Sequence, residues 1–158
     1  MKPNFALKLS HDGLEILQRA ASGWVLTGSI RFDSADLDGA LRQLRLQAEG
    51  LAPDGVRSKL IMPAGEVRYA TVMAPGPTDE ARRLQIEAEI EGLTPYALHE
   101  LAYDYGVEGD HALVAICARD ILAEAEEFAQ THGFNPVSLV AIPPSGAFIG
   151  EPFFGETS

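Results

Sequence analysis

Apolar Phe5, Leu7 and Leu9 alternate with Ala6, Lys8 and Ser10, the period-two pattern that predicts a half-buried strand. His11-Asp12-Gly13 supplies a tight turn, LEILQR returns as a second strand, and Ala21-Ser22-Gly23 turns again into WVLTGSIRF. The opening segment therefore reads as a three-stranded antiparallel meander. The period then changes. Leu37, Ala40, Leu41, Leu44 and Ala48 follow helical spacing with one apolar stripe, which Asp33 or Ser34 can cap and Gly50 ends. SKLIM is the next strand, closed by a Pro63-Ala64-Gly65 turn.

From there the order is strand, helix, strand, strand. EVRYATVM leads into the acid-rich helix DEARRLQIEAEIEGL, capped by Thr78 and barred from starting earlier by Pro75 and Pro77. LAYDYGV and HALVAICA follow around a Gly-Asp turn. The acid-rich helix carries two apolar stripes. Ala81, Leu84 and Ala88 lie on one side, and Ile86, Ile90 and Leu93 lie roughly opposite at ~100° per residue. Either the helix lies between its own sheet and an adjoining core, or one stripe is a dimer or partner surface. The last helix, RDILAEAEEFAQTH, has a single stripe of Ile121, Leu122, Ala125, Phe128 and Ala129, and Gly133 ends it. VSLVAI is apolar at nearly every position, as expected of a strand covered on both faces. From Pro143 onward the chain is too rich in Pro and Gly for a regular element. This divides the chain into a core of residues 1–65 and 119–142, an insert of residues 66–118, and an irregular tail of residues 143–158.

Composition narrows the function. At 158 residues with 46% hydrophobic content, the chain can bury the core of one domain of ordinary size. Its net charge of -11, with Lys and Arg scattered, repels phosphate backbones and anionic membranes. No apolar run approaches the ~18 residues of a membrane span, and the N-terminus alternates like a strand instead of carrying a secretory signal. The lone Cys117 sits in an apolar strand, so no disulfide framework or Cys metal site is expected, and a reduced, cytoplasmic setting fits.

The chemistry of common enzymes is missing from the sequence. It contains no GxxxxGKS/T, GxGxxG, GxSxG or HExxH motif. His11, His99, His111 and His132 fall in separate turns or helix ends, without the spacing that would share a metal. Asp104, Glu108 and Asp110 lack the ordered spacing of a calcium loop. No cofactor, metal or catalytic set is expected.

The order of elements nevertheless has a counterpart. Residues 4–62 resemble the opening of a ribonuclease H-like, actin-like half-domain, and residues 66–118 resemble the inserted subdomain of bacterial actin-like assembly proteins. The strand RYATVMAP, the helix RRLQIEAEIEGLTPYALHEL, the strands YDYGV and HALVAICAR, and the HGFNP turn into VSLVAI carry the likeness. Together they resemble the cytoplasmic domain of the type II secretion L protein and its relative, the type IV pilus M protein. The resemblance implies a mixed α/β fold in an envelope-assembly setting, cytoplasmic and held at the inner face of the membrane through a partner or a downstream segment. It also implies where nucleotide phosphates would sit, at the first hairpin. There Lys8 stands near the position of the family's acidic residue, and Ser10-His11-Asp12 replaces its small phosphate-hugging residues.

Two readings follow. In the first, the chain is a non-enzymatic interaction or scaffold module with a degenerate phosphate hairpin, binding a protein partner or its own copies. Its candidate surfaces are Ile86, Ile90 and Leu93 on the insert helix, and Phe148, Phe153 and Phe154 in the tail, aromatics that could equally fold back on their own domain. In the second, the chain is a nucleotide-binding ATPase half that needs a second half or a dimer mate, with Ser10, Asp12 and Gly13 on the phosphate side. Asp12-Gly13 is more simply a hairpin turn. A small-ligand sensor has no support from any residue.

Overall fold

The alternation at the start of the chain becomes a sheet because Phe5, Leu7 and Leu9, and then Leu14 and Ile16, all turn to the main core. In the computed structural model, which describes residues 2–158, β1 (Phe5–Leu9), β2 (Gly13–Ala20) and β3 (Gly23–Arg31) form the antiparallel meander. The helix α1 (Leu37–Leu51) then crosses over to β4 (Ser58–Ile61), which pairs parallel to β1. The insert contains β5 (Val67–Met73), α2 (Asp79–Ile90), β6 (Leu101–Glu108) and β7 (His111–Ala118). The chain returns through α3 (Arg119–Thr131) to β8 (Pro136–Val140), parallel to β4, and ends in β9 (Phe153–Glu156), antiparallel to β8. The six-stranded sheet has the order β3-β2-β1-β4-β8-β9, and the insert's own sheet runs β5-β7-β6.

One face of the large sheet holds the main core. Phe5, Leu7, Ile16, Leu60 and Leu139 lie there under Leu41, Leu44 and Ala48 of α1 and Leu122, Ala125 and Ala129 of α3. The same cluster takes in Val67, Ala102, Ala115 and Cys117, so the insert is joined to the core through one face of its own sheet. The opposite face of the insert sheet is closed by α2, whose Ile86 and Ile90 are fully buried against Val72, Val114 and Ile116. Burial pushes the Cys117 thiol up to about 12, the behaviour of a core residue and not of a nucleophile.

Three expectations need correction. The cap of α1 is Asp36, whose carboxylate accepts from Gly39 N at 3.1 Å. Asp33 is held by Arg31, and the Ser34 hydroxyl donates to the Arg31 carbonyl at 2.7 Å, so both close a turn ahead of the helix. Secondly, Ile86 and Ile90 cannot be partner surface, because they are the centre of the insert's core, and Leu93 packs half-buried at its margin. The outward stripe is the other one, with Leu84 64% exposed. Thirdly, the tail is not irregular throughout. β9 extends the large sheet, and Phe153 N donates to the Asp104 carboxylate of β6 at 2.9 Å. Phe148 and Phe154 fold back onto the main core, whereas Phe153 stays 47% exposed.

Candidate functional site

The first hairpin is closed on itself. Ser10 N and Ser10 Oγ both donate to the Gly13 carbonyl, at 2.9 and 3.0 Å, and Ser10 Oγ accepts from Gly13 N at 3.1 Å. The groups that would meet a phosphate are therefore spent inside the turn. Gly13 has its own structural cause, since a Cβ there would strike the Ile30 carbonyl of β3. Asp12 is exposed, and its carbonyl accepts from Phe32 N at 2.8 Å. Of the two neighbouring cations, Arg31 is hydrogen-bonded and Lys8 is not. Lys8 Nζ stands 4.0 Å from Glu15, and Arg31 bonds Asp33 through two nitrogens, at 3.2 and 3.3 Å. That hydrogen bond holds the Asp33 carboxyl below its usual range. The structure thus brings Ser10, Asp12 and Gly13 together as a turn, along a surface depression that Lys8 and Arg31 also line.

A different site opens on the other side of this hairpin. At the carboxyl ends of β1 and β4, along α3 from Ile121 to Phe128, lies a cleft of about 260 Å³. Its wall is apolar: Leu9, Phe32, Met62, Ile121, Ala125 and Phe128. Phe32 and Phe128 meet edge to face, with ring centroids 6.0 Å apart, which fixes one side of the opening. The rim carries Glu66, Glu124 and His11, and His11 Nε2 stands 3.7 Å from Glu66. No Lys or Arg lines it.

This chemistry suits an apolar side chain next to a positive charge. It does not suit a nucleotide. The volume lies below the ~300 Å³ at which pockets for drug-sized ligands begin, and two carboxylates would repel phosphates. The position is the one where open α/β sheets most often bind, outside the carboxyl ends of parallel strands. Sequence reasoning missed the site because it assigned Ile121 and Phe128 wholly to the core stripe of α3. Ile121 and Phe128 form one flank of that stripe, half-buried beside the buried Leu122 and Ala129, and this flank is the cleft wall. Glu66 was legible only as a residue at the start of the insert.

Other arrangements carry less. No group of three or more His, Cys, Asp or Glu side chains that could hold a metal occurs among the described residues. A second cleft, of about 250 Å³, separates Glu66 and Arg68 from Thr94 and Tyr96 at the base of the insert. No helix among the described residues is long and apolar enough to cross a membrane.

No protein-family model matches the chain, and no curated protein matches it in sequence. Solved structures do share its fold. One is the cytoplasmic domain of EpsL, an inner membrane component of the type II secretion system of Vibrio cholerae. The two align with a TM-score of 0.65 and 15% identity over 90% of this chain and 60% of that one. Another is the PilM-PilN type IV pilus biogenesis complex, with a TM-score of 0.65 and 16% identity over 87% of this chain and 47% of the other. This chain therefore spans less than two thirds of either counterpart. What is shared at such identities is the fold, and this chain has the mixed α/β, actin-like fold of the EpsL and PilM domains.

Proposed function

We propose that this chain is a non-enzymatic protein-interaction module of an envelope-assembly system, working on the cytoplasmic side of the membrane, and that the cleft beside α3 receives a partner peptide. The observation that carries the reading is the cleft itself, an apolar wall rimmed by Glu66 and Glu124 at the carboxyl ends of β1 and β4. A peptide with one or two apolar side chains flanked by Lys or Arg complements it in both respects. The solved PilM-PilN complex supports the reading by analogy, as a protein of this fold assembled with another protein. The self-bonded Ser10 hairpin supports the absence of phosphate chemistry.

The test is a titration followed by NMR, using short Leu-rich peptides flanked by Lys or, as control, by Glu. The Lys-flanked peptide should shift resonances of Met62, Ile121 and Phe128, and Glu124→Lys should weaken it. No shift with either peptide would refute the cleft reading. Calorimetry with ATP and Mg²⁺ should give no saturable heat. Binding that Asp12→Ala abolishes would replace this proposal with a nucleotide-binding half-domain.

A further inference from the structure

The insert sheet is covered unevenly on the face that α2 closes. Over most of that face Ile86 and Ile90 of α2 pack against Val72 and Val114. At the base of the sheet, strand pairing aligns Arg68, Ile116 and Tyr103 in one row, and sets Ala118 beside Leu101 in the next. α2 has ended by then, at Ile90, and the chain reaches β6 through residues 91–100. The roof over the base is therefore a loop, Thr94-Pro95-Tyr96, and the cleft of about 250 Å³ lies between this loop and the strands. The loop is held by bonds of its own. Thr94 Oγ1 accepts from Tyr96 N at 3.2 Å, and Glu100 Oε1 accepts from Ala97 N at 2.9 Å.

The floor of this cleft is apolar, made by the buried Val67, Leu101, Ile116 and Ala118. Two charged residues line it, Glu66 and Arg68, so Arg68 is its one cation. Glu66 is turned toward the first hairpin, with Oε1 3.7 Å from His11 Nε2. Arg68 enters none of the ion pairs found among the described residues. Arg82 of the same insert shows the contrast: it donates to the Ala74 carbonyl at 3.0 Å and stands 3.4 Å from Asp79. A second donor faces Arg68 from the roof. Thr94 Oγ1 accepts from its own loop and keeps its O–H to donate.

We propose that this cleft captures the C-terminal residue of a partner polypeptide, with an apolar side chain on the floor and the free carboxylate on Arg68. The planar guanidinium fork matches a carboxylate, and the Thr94 hydroxyl can complete its hydrogen bonds. Charge and size narrow the ligand further. A phosphate dianion would meet about twice the repulsion from Glu66 that a carboxylate meets. A volume below the ~300 Å³ of drug-sized pockets admits one residue and its terminus, not a larger molecule. The chemistry is the reverse of that in the cleft beside α3, whose rim holds two carboxylates and no Lys or Arg. The two clefts share only Glu66, so this inference stands independently of the peptide proposed there.

An NMR titration with two forms of one probe tests it: a short Gly/Ser peptide ending in leucine, as the free acid and as the C-terminal amide. The free acid should shift resonances of Thr94, Tyr96 and Ile116 and leave Met62 and Phe128 in place. The amide, which offers no charge to Arg68, should bind about tenfold more weakly. Arg68→Gln should weaken the free acid by a similar factor with unchanged circular dichroism, because Arg68 is exposed. Equal affinity for acid and amide overturns the proposal, and so does binding that Arg68→Gln leaves intact. Shifts confined to Met62 and Phe128, or no shift with either form, overturn it as well. The comparison of acid with amide uses the native chain alone, so no folding defect can obscure it.

Discussion

The two sheets hide their apolar residues in different ways. In the insert, β7 lies between its neighbours with seven of its eight residues buried, all but His111. α2 covers one of its faces and the main core the other. The large sheet has helices on one face only. On the other, Ala6, Ile61 and Val140 are buried with Leu17 and Trp24 packed against them, and Arg19 and Lys59 each stand 4.7 Å from the Trp24 ring centroid. Lys59 is fixed in turn by Glu151 of the tail at 2.7 Å. A strand covered on both sides depends on both parities of its sequence. A strand covered on one side depends on one parity, plus whatever screens the other.

The sharpest break in this contrast is at α2. Ile86→Ala removes a fully buried side chain and should cost about 3 kcal/mol, whereas Leu84→Ala, two residues earlier and exposed, should stay within about 0.5 kcal/mol. Urea denaturation of the two variants measures the difference, and a larger loss at Leu84 would mean that α2 faces the other way.

On the large sheet, Trp24→Ala strips the screen from Ala6 and Ile61. Because the ring is only partly buried, a loss of about 2 kcal/mol is expected, below the range for fully buried tryptophans. A thermal shift no larger than that of Leu84→Ala would show that the open face needs no cover.

Ser58 is the buried polar residue at the junction of β4 and β8, and its hydroxyl donates to the Phe134 carbonyl at 2.9 Å. Ser58→Ala leaves that carbonyl without this donor and should cost about 1 kcal/mol. Chemical denaturation of this variant, compared with Ser138→Ala on the adjoining strand, shows whether burial sets the cost.

The smallest effect is a dependence on pH confined to the insert. Burial, and then the Glu87 carboxylate that accepts from Tyr103 Oη at 2.6 Å, raise the Tyr103 phenol above its ordinary value. Burial likewise raises Cys117. Raised folded-state values mean that the unfolded chain ionises first, at about 8.5 for the thiol and about 10 for the phenol. The stability from keeping both groups neutral is complete below those values and declines as pH rises past them. The denaturation midpoint should therefore fall from about pH 8.5 upward. Cys117→Ala should flatten the lower part of that decline and Tyr103→Phe the upper part. Slopes unchanged in both variants would place the alkaline sensitivity elsewhere.

Much of this architecture could be read before any coordinates. The Thr78 cap accepts from Ala81 N at 3.1 Å, and Gly133 takes φ +80 at the end of α3, because both are local devices written in adjacent residues. The Asp36 cap escaped because Asp33, Ser34 and Asp36 are all competent, and Arg31 decides among them by engaging the first two. The tail strand escaped because four residues among prolines and glycines carry too little pattern, and β9 forms only where the edge of β8 offers partners. The candidate cleft was illegible for a related reason, since its wall joins Leu9 of β1, Phe32 and Met62 just past β3 and β4, and α3, which no spacing connects.

The amino-acid sequence by itself determined the elements up to β8, the meander, the insertion and the acidic surface, because periodicity, caps and charge act over a few residues. Only the tertiary structure decided which stripe of α2 faces inward, where Trp24 lies, and how one flank of the α3 stripe becomes a cleft wall. Each of these depends on which distant surface arrives to remove an apolar face from water, and a stripe looks the same in the sequence whether that surface comes or not.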